Sequence, residues 1–195
     1  MIKVERIGVY NIENAIRGMR NPLKSWNKSD SFSSIIGEED MELATKLIKA
    51  GNEHAKFMRQ IFVSMDITAP DYWWKEYATY KVSTTENSTS TMHKITSELL
   101  DMKDFSIDEW DDINFVVLNT LNQLIEEYQE DKYVGTWKRI IQLLPMSYNY
   151  LRTCSMNYQV LRNMYFQRRN HKLVEWREFC KVIESLPYSE LITVS

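Results

Sequence analysis

Residues 59–94, RQIFVSMDITAPDYWWKEYATYKVSTTENSTSTMHK, decide the fold because three patterns follow one another there. Apolar residues recur at every second position from Ile61 to Ile67, which predicts a strand with one buried face. An Ala-Pro pair ends this strand, and we place Pro70 in the first turn of a helix with four aromatic residues at 72–77. The run of hydroxyl and amide residues that comes next predicts an irregular loop.

Further helical and strand patterns flank this stretch on both sides. In chain order they predict a strand over 2–9, a helix over 13–20, a polar loop over 21–37, helices over 38–50, 110–128 and 132–144, a strand over 150–157, and helices over 158–169 and 172–185. Ser106 and Glu109 have the spacing of a capping box for the helix over 110–128. We therefore predict an α+β fold, dominated by helices with a small antiparallel sheet, as a single domain over 1–195.

The composition favours a folded protein and argues against two classes of partner. Of 195 residues, 44% are hydrophobic and 12% aromatic, which is enough to build a core. The formal charge is -3 and the basic residues are dispersed, so general nucleic-acid binding is not expected. No apolar run approaches the roughly 20 residues that span a bilayer, and we expect a cytoplasmic protein without membrane contact.

Motifs for metals and for common cofactors are missing from the sequence. The three histidines show no metal-ligand spacing, and Cys154 and Cys180 show neither metal nor redox spacing, which predicts buried, reduced thiols. Neither GxGxxG nor GxxxxGK occurs, and this excludes Rossmann and P-loop nucleotide sites.

The polar run over 84–91 has two interpretations. Its hydroxyl, amide and backbone N–H groups can surround an anion, with Lys81 and Lys94 supplying charge from either side. Alternatively, the same side chains bond their own backbone in a solvated loop.

A second polar cluster lies in residues 151–171. On a helix, Gln159 and Asn163 fall on one face, while Arg168 and Arg169 follow at the end. Guanidinium groups suit a phosphate or a polarised carbonyl. The alternative is a solvated basic face at a helix C-terminus, where the helix dipole favours cations.

The order of these segments resembles the flavin-dependent thymidylate synthases. The helix ending KLIKAG, the strand RQIFVSMDITAP, an aromatic helix and a polar loop are similar to the N-terminal half of that family. LLPMSY and MNYQVLRNMYFQRR resemble segments of its second half. The likeness covers most of residues 1–185 and implies the same fold.

The resemblance also implies roles for single residues. Thr89 stands at the family's serine, and Arg168, or Arg169 after a one-residue shift, stands at an arginine near flavin and nucleotide. Thr89 and Arg168 are therefore the implied catalytic residues. Those implied to bind FAD are Tyr80, Lys81, Asn87, Asn157, Gln159 and Asn163. Those implied to bind the nucleotide are Glu76, Lys81, Thr89, Thr91, Arg168 and Arg169.

The sequence departs from the family pattern at its signature Arg-His-Arg. Thr79, Tyr80 and Lys81 occupy those positions, so only one cation remains. Gln159 stands where an arginine is usual, and Thr91 where the loop has an arginine. A lysine is a point charge without the bidentate fork of arginine, so weaker phosphate binding is expected.

The resemblance implies a divergent member that binds FAD and a pyrimidine nucleotide such as dUMP. It further implies methyl transfer to C5 of the pyrimidine, NADPH and methylene-tetrahydrofolate as cosubstrates, and assembly as a homotetramer. Two alternatives remain open: a non-catalytic nucleotide-binding protein on the same fold, and a helical oligomeric interaction protein whose aromatic helix meets a partner.

Overall fold

Helices and a small four-stranded antiparallel sheet make up the computed structural model, which describes residues 2–33 and 35–195. The strands are β1 (Lys3–Tyr10), β2 (Phe62–Pro70), β3 (Thr85–Ser88) and β4 (Asn149–Asn157), and they pair in the order β1-β2-β4-β3. The helices are α1 (Ile12–Met19), α2 (Glu38–Lys49), α3 (Asp71–Tyr77), α4 (Thr91–Lys94), α5 (Asp112–Asp131), α6 (Val134–Leu143), α7 (Tyr158–Arg168), α8 (Val174–Glu184) and α9 (Glu190–Thr193). The predicted α+β fold is confirmed.

The pairing of β2 with β4 sets the register of the sheet. Near the start of β2, the Ile61 carbonyl accepts a hydrogen bond from the Tyr158 amide (3.1 Å). Beyond its other end, the Asp71 amide donates to the Tyr148 carbonyl (3.1 Å). The partner number falls as the β2 number rises, so the two strands are antiparallel.

Alternation along β2 buries one face, as predicted. Val63, Met65, Ile67 and Ala69 are at most 1% exposed. Pro70 is the last strand residue and the N-cap of α3, so its predicted place in the first helical turn is wrong by one position.

The aromatic residues of α3 pack inside the chain. Trp73, Trp74 and Tyr77 are each at most 2% exposed, with ring centres about 5 Å apart. The Trp74 indole donates to the Ala69 carbonyl (2.9 Å). These rings stabilise the core, and they offer no surface to a partner.

The chain divides into two compact units. Unit 1 comprises Ile67–Thr79 and Asn87–Arg152 with the first residues of the chain. Its core lies where α5 packs on α6. The buried residues there are Ile95, Phe105, Leu118, Leu121, Leu124, Ile125 and Ile140.

Unit 2 comprises Val4–Asp66, Tyr80–Glu86 and Thr153–Ser195. Helix α7 lies at its centre and packs against α8, α9 and the short 3-10 helix Lys56–Gln60. The large buried side chains of unit 2 include Ile16, Phe57, Met58, Leu161, Met164, Trp176, Phe179 and Ile183.

Two local predictions are wrong for physical reasons. The capping box of α5 is Asp111 with Asn114, each side chain accepting from the other's backbone amide, while Ser106 donates to Asn149 instead (2.8 Å). The polar run predicted as an irregular loop contains β3, whose four residues are all exposed. An exposed edge strand shows no alternation of apolar residues, so its sequence gives no strand signal.

Among the residues described, no helix combines the length and apolar character that a membrane crossing requires.

Candidate functional site

Asn157 starts α7 and supports its first turn. The residue has extended backbone angles, and its side-chain oxygen accepts a hydrogen bond from the Val160 amide (3.0 Å). This is the usual geometry of an N-cap. Its predicted FAD contact stays a prediction. The side-chain oxygen of Asn157 is already bonded to the first turn of α7.

Three amides form a stripe along one face of α7: Gln159, Asn163 and Gln167, which we call the amide stripe. They are four residues apart, so they lie on neighbouring turns and span about 12 Å. Gln159 donates from Nε2 to Asn163 Oδ1 (3.4 Å) and to Asn52 Oδ1 (3.3 Å). The structure thus brings together two of the predicted cofactor residues, Gln159 and Asn163.

The carbonyl oxygen of Gln159 is buried and has no hydrogen-bond partner among the residues described. The side chain is 7% exposed, so solvent has little access to it. An unmet buried acceptor costs about 1–3 kcal/mol of stability, so a ligand that donates a hydrogen bond to this oxygen would be favoured.

Tyr80 and Arg168 meet at the other end of the amide stripe. The Tyr80 hydroxyl accepts from Arg168 Nε (3.0 Å) and donates to Gln167 Oε1 (2.8 Å). The guanidinium carbon of Arg168 lies 5.0 Å from the ring centre of Trp176 and 5.7 Å from that of Tyr80. Arg168 is therefore held by a hydrogen bond and by two aromatic rings.

The other two arginines of α7 and its end have different surroundings. Arg162 donates to the carbonyls of Ile192 (2.8 Å) and Val194 (2.5 Å), and burial lowers its pKa. It anchors the C-terminal segment. Arg169, a predicted nucleotide residue, is exposed and covers the ring of Phe166 at 5.0 Å.

A cleft of about 760 Å³ lies in unit 2, within the size range of small-molecule sites. We call it the α2 cleft. It is lined by Gly18, Met19, Arg20, Asn21, Pro22, Leu23, Ser25, Lys28, Glu39, Glu42, Leu43, Lys46, Leu47, Glu53, His54, Lys56, Phe57 and Gln60. Asn52, the partner of Gln159, directly precedes two of these residues.

Sequence reasoning placed no site residue in the α2 cleft. The one sequence feature that could have indicated the cleft is the long polar loop over 21–37, because such loops in compact domains often carry function. Nothing local in the sequence shows that this loop, α2 and residues 53–60 enclose one space.

A buried ion pair holds one wall of the α2 cleft. Arg20, which lines the cleft, donates from Nε to Asp40 (2.5 Å), and the two side chains are 5% and 0% exposed. Burial alone would raise the pKa of Asp40, but hydrogen bonds from Ser29, Ser31 and Arg20 outweigh burial and lower that pKa. The loop after α1 is thus tied to α2 near neutral pH.

The remaining predicted residues lie outside these contacts. Glu76, Asn87, Thr89 and Thr91 belong to unit 1, and Lys81 is an exposed residue of unit 2. Their predicted roles stay predictions.

The implied catalytic threonine is held by its backbone. The Thr89 amide donates to the Leu151 carbonyl (2.9 Å), while within the described part of the chain its hydroxyl contacts no base.

Neither cysteine belongs to the amide stripe or lines the α2 cleft. Cys154 and Cys180 are buried and unbridged, as predicted. Burial, followed by the charge of Glu184, raises the pKa of Cys180 to about 11, so this thiol stays protonated at neutral pH. In residues 2–33 and 35–195, no group of three or more His, Cys, Asp and Glu side chains is arranged to hold a metal ion.

Comparison with known proteins finds similarity in structure but not in sequence. No protein-family profile matches the chain, and no curated protein matches its sequence. Two structures of thymidylate synthase X from Helicobacter pylori, complexed with FAD and dUMP, match at TM-scores of 0.77 and 0.78 with 17% identity. The matches cover 98% of this chain and 96% and 98% of those chains.

A third match is the UMP/dUMP methylase PolB from Streptomyces cacaoi, bound with 5-Br dUMP. Its TM-score is 0.60 at 15% identity, over 94% of this chain and 88% of that one. At this level of identity the agreement concerns the fold. The chain has the fold of the flavin-dependent thymidylate synthases, as the resemblance implied.

Proposed function

We propose that this protein binds FAD and a pyrimidine nucleotide such as dUMP, and that it modifies C5 of the pyrimidine. Two observations support the proposal. Proteins with the same fold are complexed with FAD and dUMP. The amide stripe and Arg168 together offer neutral and cationic groups that such ligands use.

The unpaired carbonyl of Gln159 is the observation that carries the proposal. Flavin and uracil rings both contain an imide, whose N–H lies between two carbonyls. An amide side chain complements an imide, since its oxygen accepts from the N–H while its nitrogen donates to a carbonyl. The present bonds from Gln159 Nε2, at 3.3 and 3.4 Å, are long and easily exchanged for shorter ones.

The residues present fit a flavin at the Gln159 end of α7. Gln159, Asn52 and Asn163 would hold its polar edge by neutral hydrogen bonds. When bound and reduced, a flavin supplies hydride chemistry, and the protein supplies orientation and electrostatics. NADPH and methylene-tetrahydrofolate would be the cosubstrates of a C5 methyl transfer.

Arg168 suits the nucleotide phosphate. Its guanidinium can bond two phosphate oxygens at once, and Lys81 and Arg169 follow Tyr80 and Arg168 directly in the sequence. We propose that Glu76, Asn87, Thr89 and Thr91 complete the nucleotide contacts in a homotetramer.

A second candidate function is nucleotide binding without flavin or catalysis. The uncharged Thr79 and Tyr80 at the signature positions favour it, as does the Thr89 hydroxyl, which contacts no base in the described residues.

The first experiment measures flavin retention. The purified protein is mixed with FAD, freed of excess by gel filtration and scanned for the visible absorption bands of flavin. Retained flavin in the native protein, with loss in Gln159→Leu and not in the matched control Gln142→Leu, supports the proposal. Gln142 is an exposed residue of α6.

The other outcomes separate the candidates. Colourless protein whose melting temperature rises with dUMP supports the second function, because a ligand that binds the native state stabilises it. Protein that responds to neither ligand contradicts both. Light scattering on the same samples tests the homotetramer.

A further inference from the structure

We propose that Tyr80 is a positioning residue, which orients the Arg168 guanidinium for a phosphate monoester. The inference rests on the proposed function, because it takes Arg168 as the residue that contacts the nucleotide phosphate. The resemblance places a histidine at this position. The tyrosine, and the role proposed for it, are therefore specific to this chain.

The hydroxyl of Tyr80 uses both of its hydrogen-bonding capacities on α7. It accepts from Nε of Arg168 at 3.0 Å and donates to Oε1 of Gln167 at 2.8 Å. Tyr80 is 9% exposed, and its ring meets that of Trp176 edge to face, with centres 6.0 Å apart. The packing of the Tyr80 ring therefore fixes the position of its hydroxyl, which bonds Gln167 and Arg168 of α7.

These contacts determine the plane of the guanidinium. Arg168 lies over Trp176, which is 0% exposed and cannot move without disturbing the core of unit 2. A planar group that is bonded at Nε and stacked on a rigid ring can no longer rotate freely. The direction of its terminal nitrogens is then set, and these are the atoms that bond two oxygens of a phosphate.

We call the bonded pair Tyr80 and Arg168 the clamp. The charges near it in the sequence favour a phosphate dianion. Lys81 follows Tyr80, Arg169 follows Arg168, and both side chains are exposed. The two segments that form the clamp therefore carry three positive charges, of which Arg168 is the one that Tyr80 contacts. An arginine whose orientation is fixed in advance loses less conformational freedom on binding, which increases affinity.

The test removes the Tyr80 hydroxyl and leaves its ring. In Tyr80→Phe, calorimetric titration should show dUMP affinity falling about fivefold, since a hydrogen bond to a charged group is lost. Affinity for deoxyuridine, which lacks the phosphate, should stay unchanged. The matched control is Tyr188→Phe, which removes another hydroxyl of unit 2, bonded to the Ile36 amide at 2.9 Å.

A second pair of variants shows whether Tyr80 acts through Arg168. If it does, Tyr80→Phe changes dUMP affinity in the native background but has no further effect in Arg168→Met. Equal losses for dUMP and deoxyuridine, unchanged dUMP binding, or tighter dUMP binding in Tyr80→Phe would each overturn the inference.

Failure of the proposed function is distinguishable from failure of this inference. If the native protein does not bind dUMP, the proposed function fails, and inorganic pyrophosphate replaces dUMP in the titration. Pyrophosphate binding that weakens in both Tyr80→Phe and Arg168→Met supports the positioning role. Absence of pyrophosphate binding, or binding that these variants leave unchanged, overturns it.

Discussion

The two ends of α7 differ in how completely their polar groups are paired. At the N-terminal end, Gln159 is a neutral amide with a buried oxygen that lacks a donor in the described structure. At the C-terminal end, Arg168 is a cation already bonded to Tyr80 and stacked on Trp176. Along α7, the unpaired carbonyl of Gln159 and the already oriented guanidinium of Arg168 thus lie about 14 Å apart.

Under the proposed function, this difference predicts two kinds of ligand contact. An unmet buried acceptor is satisfied by a ligand N–H, and this contact does not depend on salt. A clamped guanidinium is matched to an oxyanion, and ionic strength weakens that attraction. A ligand ring and a ligand phosphate would therefore be recognised at opposite ends of the same helix.

The largest expected effect concerns the cationic end. Replacing Arg168 by Met should weaken dUMP binding by about 2 kcal/mol, or about 30-fold, because charged hydrogen bonds to the phosphate are lost. Isothermal titration calorimetry measures the change, with Arg139→Met on α6 as an exposed control. A loss no larger than that of the control would show that Arg168 contacts no phosphate.

The next effect concerns stability at the first residue of α7. Tyr158 is buried and donates to the Pro187 carbonyl, so Tyr158→Phe should lower the free energy of unfolding by about 1.5 kcal/mol at neutral pH. Urea denaturation measures it, with the exposed Tyr133→Phe as control.

The Tyr158→Phe variant also tests how the free energy of unfolding depends on pH. Burial, followed by the charge of Glu190, raises the pKa of Tyr158 in the folded state. A raised pKa contributes stability that is complete below the unfolded value of about 10 and is lost as pH rises through the folded value. Native protein should lose stability more steeply than Tyr158→Phe in that alkaline range, and equal slopes would contradict the prediction.

A smaller effect with the opposite sign is expected at the neutral end. Gln159→Leu removes the unpaired carbonyl, so the ligand-free protein should gain about 1 kcal/mol in unfolding free energy. Its former partners Asn52 and Asn163 are exposed and can bond water. A loss of stability in urea denaturation would mean that the carbonyl is already satisfied, and the contrast between the two ends would disappear.

The smallest effect is expected at Arg169. This residue is exposed, so Arg169→Met should change dUMP affinity about twofold or less, because solvent screens an exposed charge. Calorimetry beside Arg168→Met makes the comparison. If Arg169→Met had the larger effect, the phosphate contact would belong to Arg169 and the one-residue shift would be the correct alignment.

The elements with regular patterns were predictable from the sequence. Alternation from Ile61 to Ile67 located β2, and helical spacing located α7 to within one residue of its observed end at Arg168. Both patterns are local, because each depends on which face of one segment is buried. The edge strand Thr85–Ser88 was missed, since all four of its residues face solvent.

The candidate site was predictable only as a set of residues. The resemblance named Tyr80, Gln159 and Arg168 but gave no contact between Tyr80 and Arg168, which are 88 positions apart. It also gave no partner for Gln159, because Asn52 lies 107 positions away. The α2 cleft was missed for the same reason, as its walls come from three separate segments.

The order of residues alone was enough to establish the fold class, the position of β2 and α7, and the amides and arginines that α7 carries. Only the folded chain decided which of those groups are paired: Asn157 with its own helix, Arg162 with the C-terminal segment, Arg168 with Tyr80, and Gln159 with one end unmet. The physical reason is that periodicity reports burial within one segment, whereas pairing depends on which distant segments folding brings to that surface.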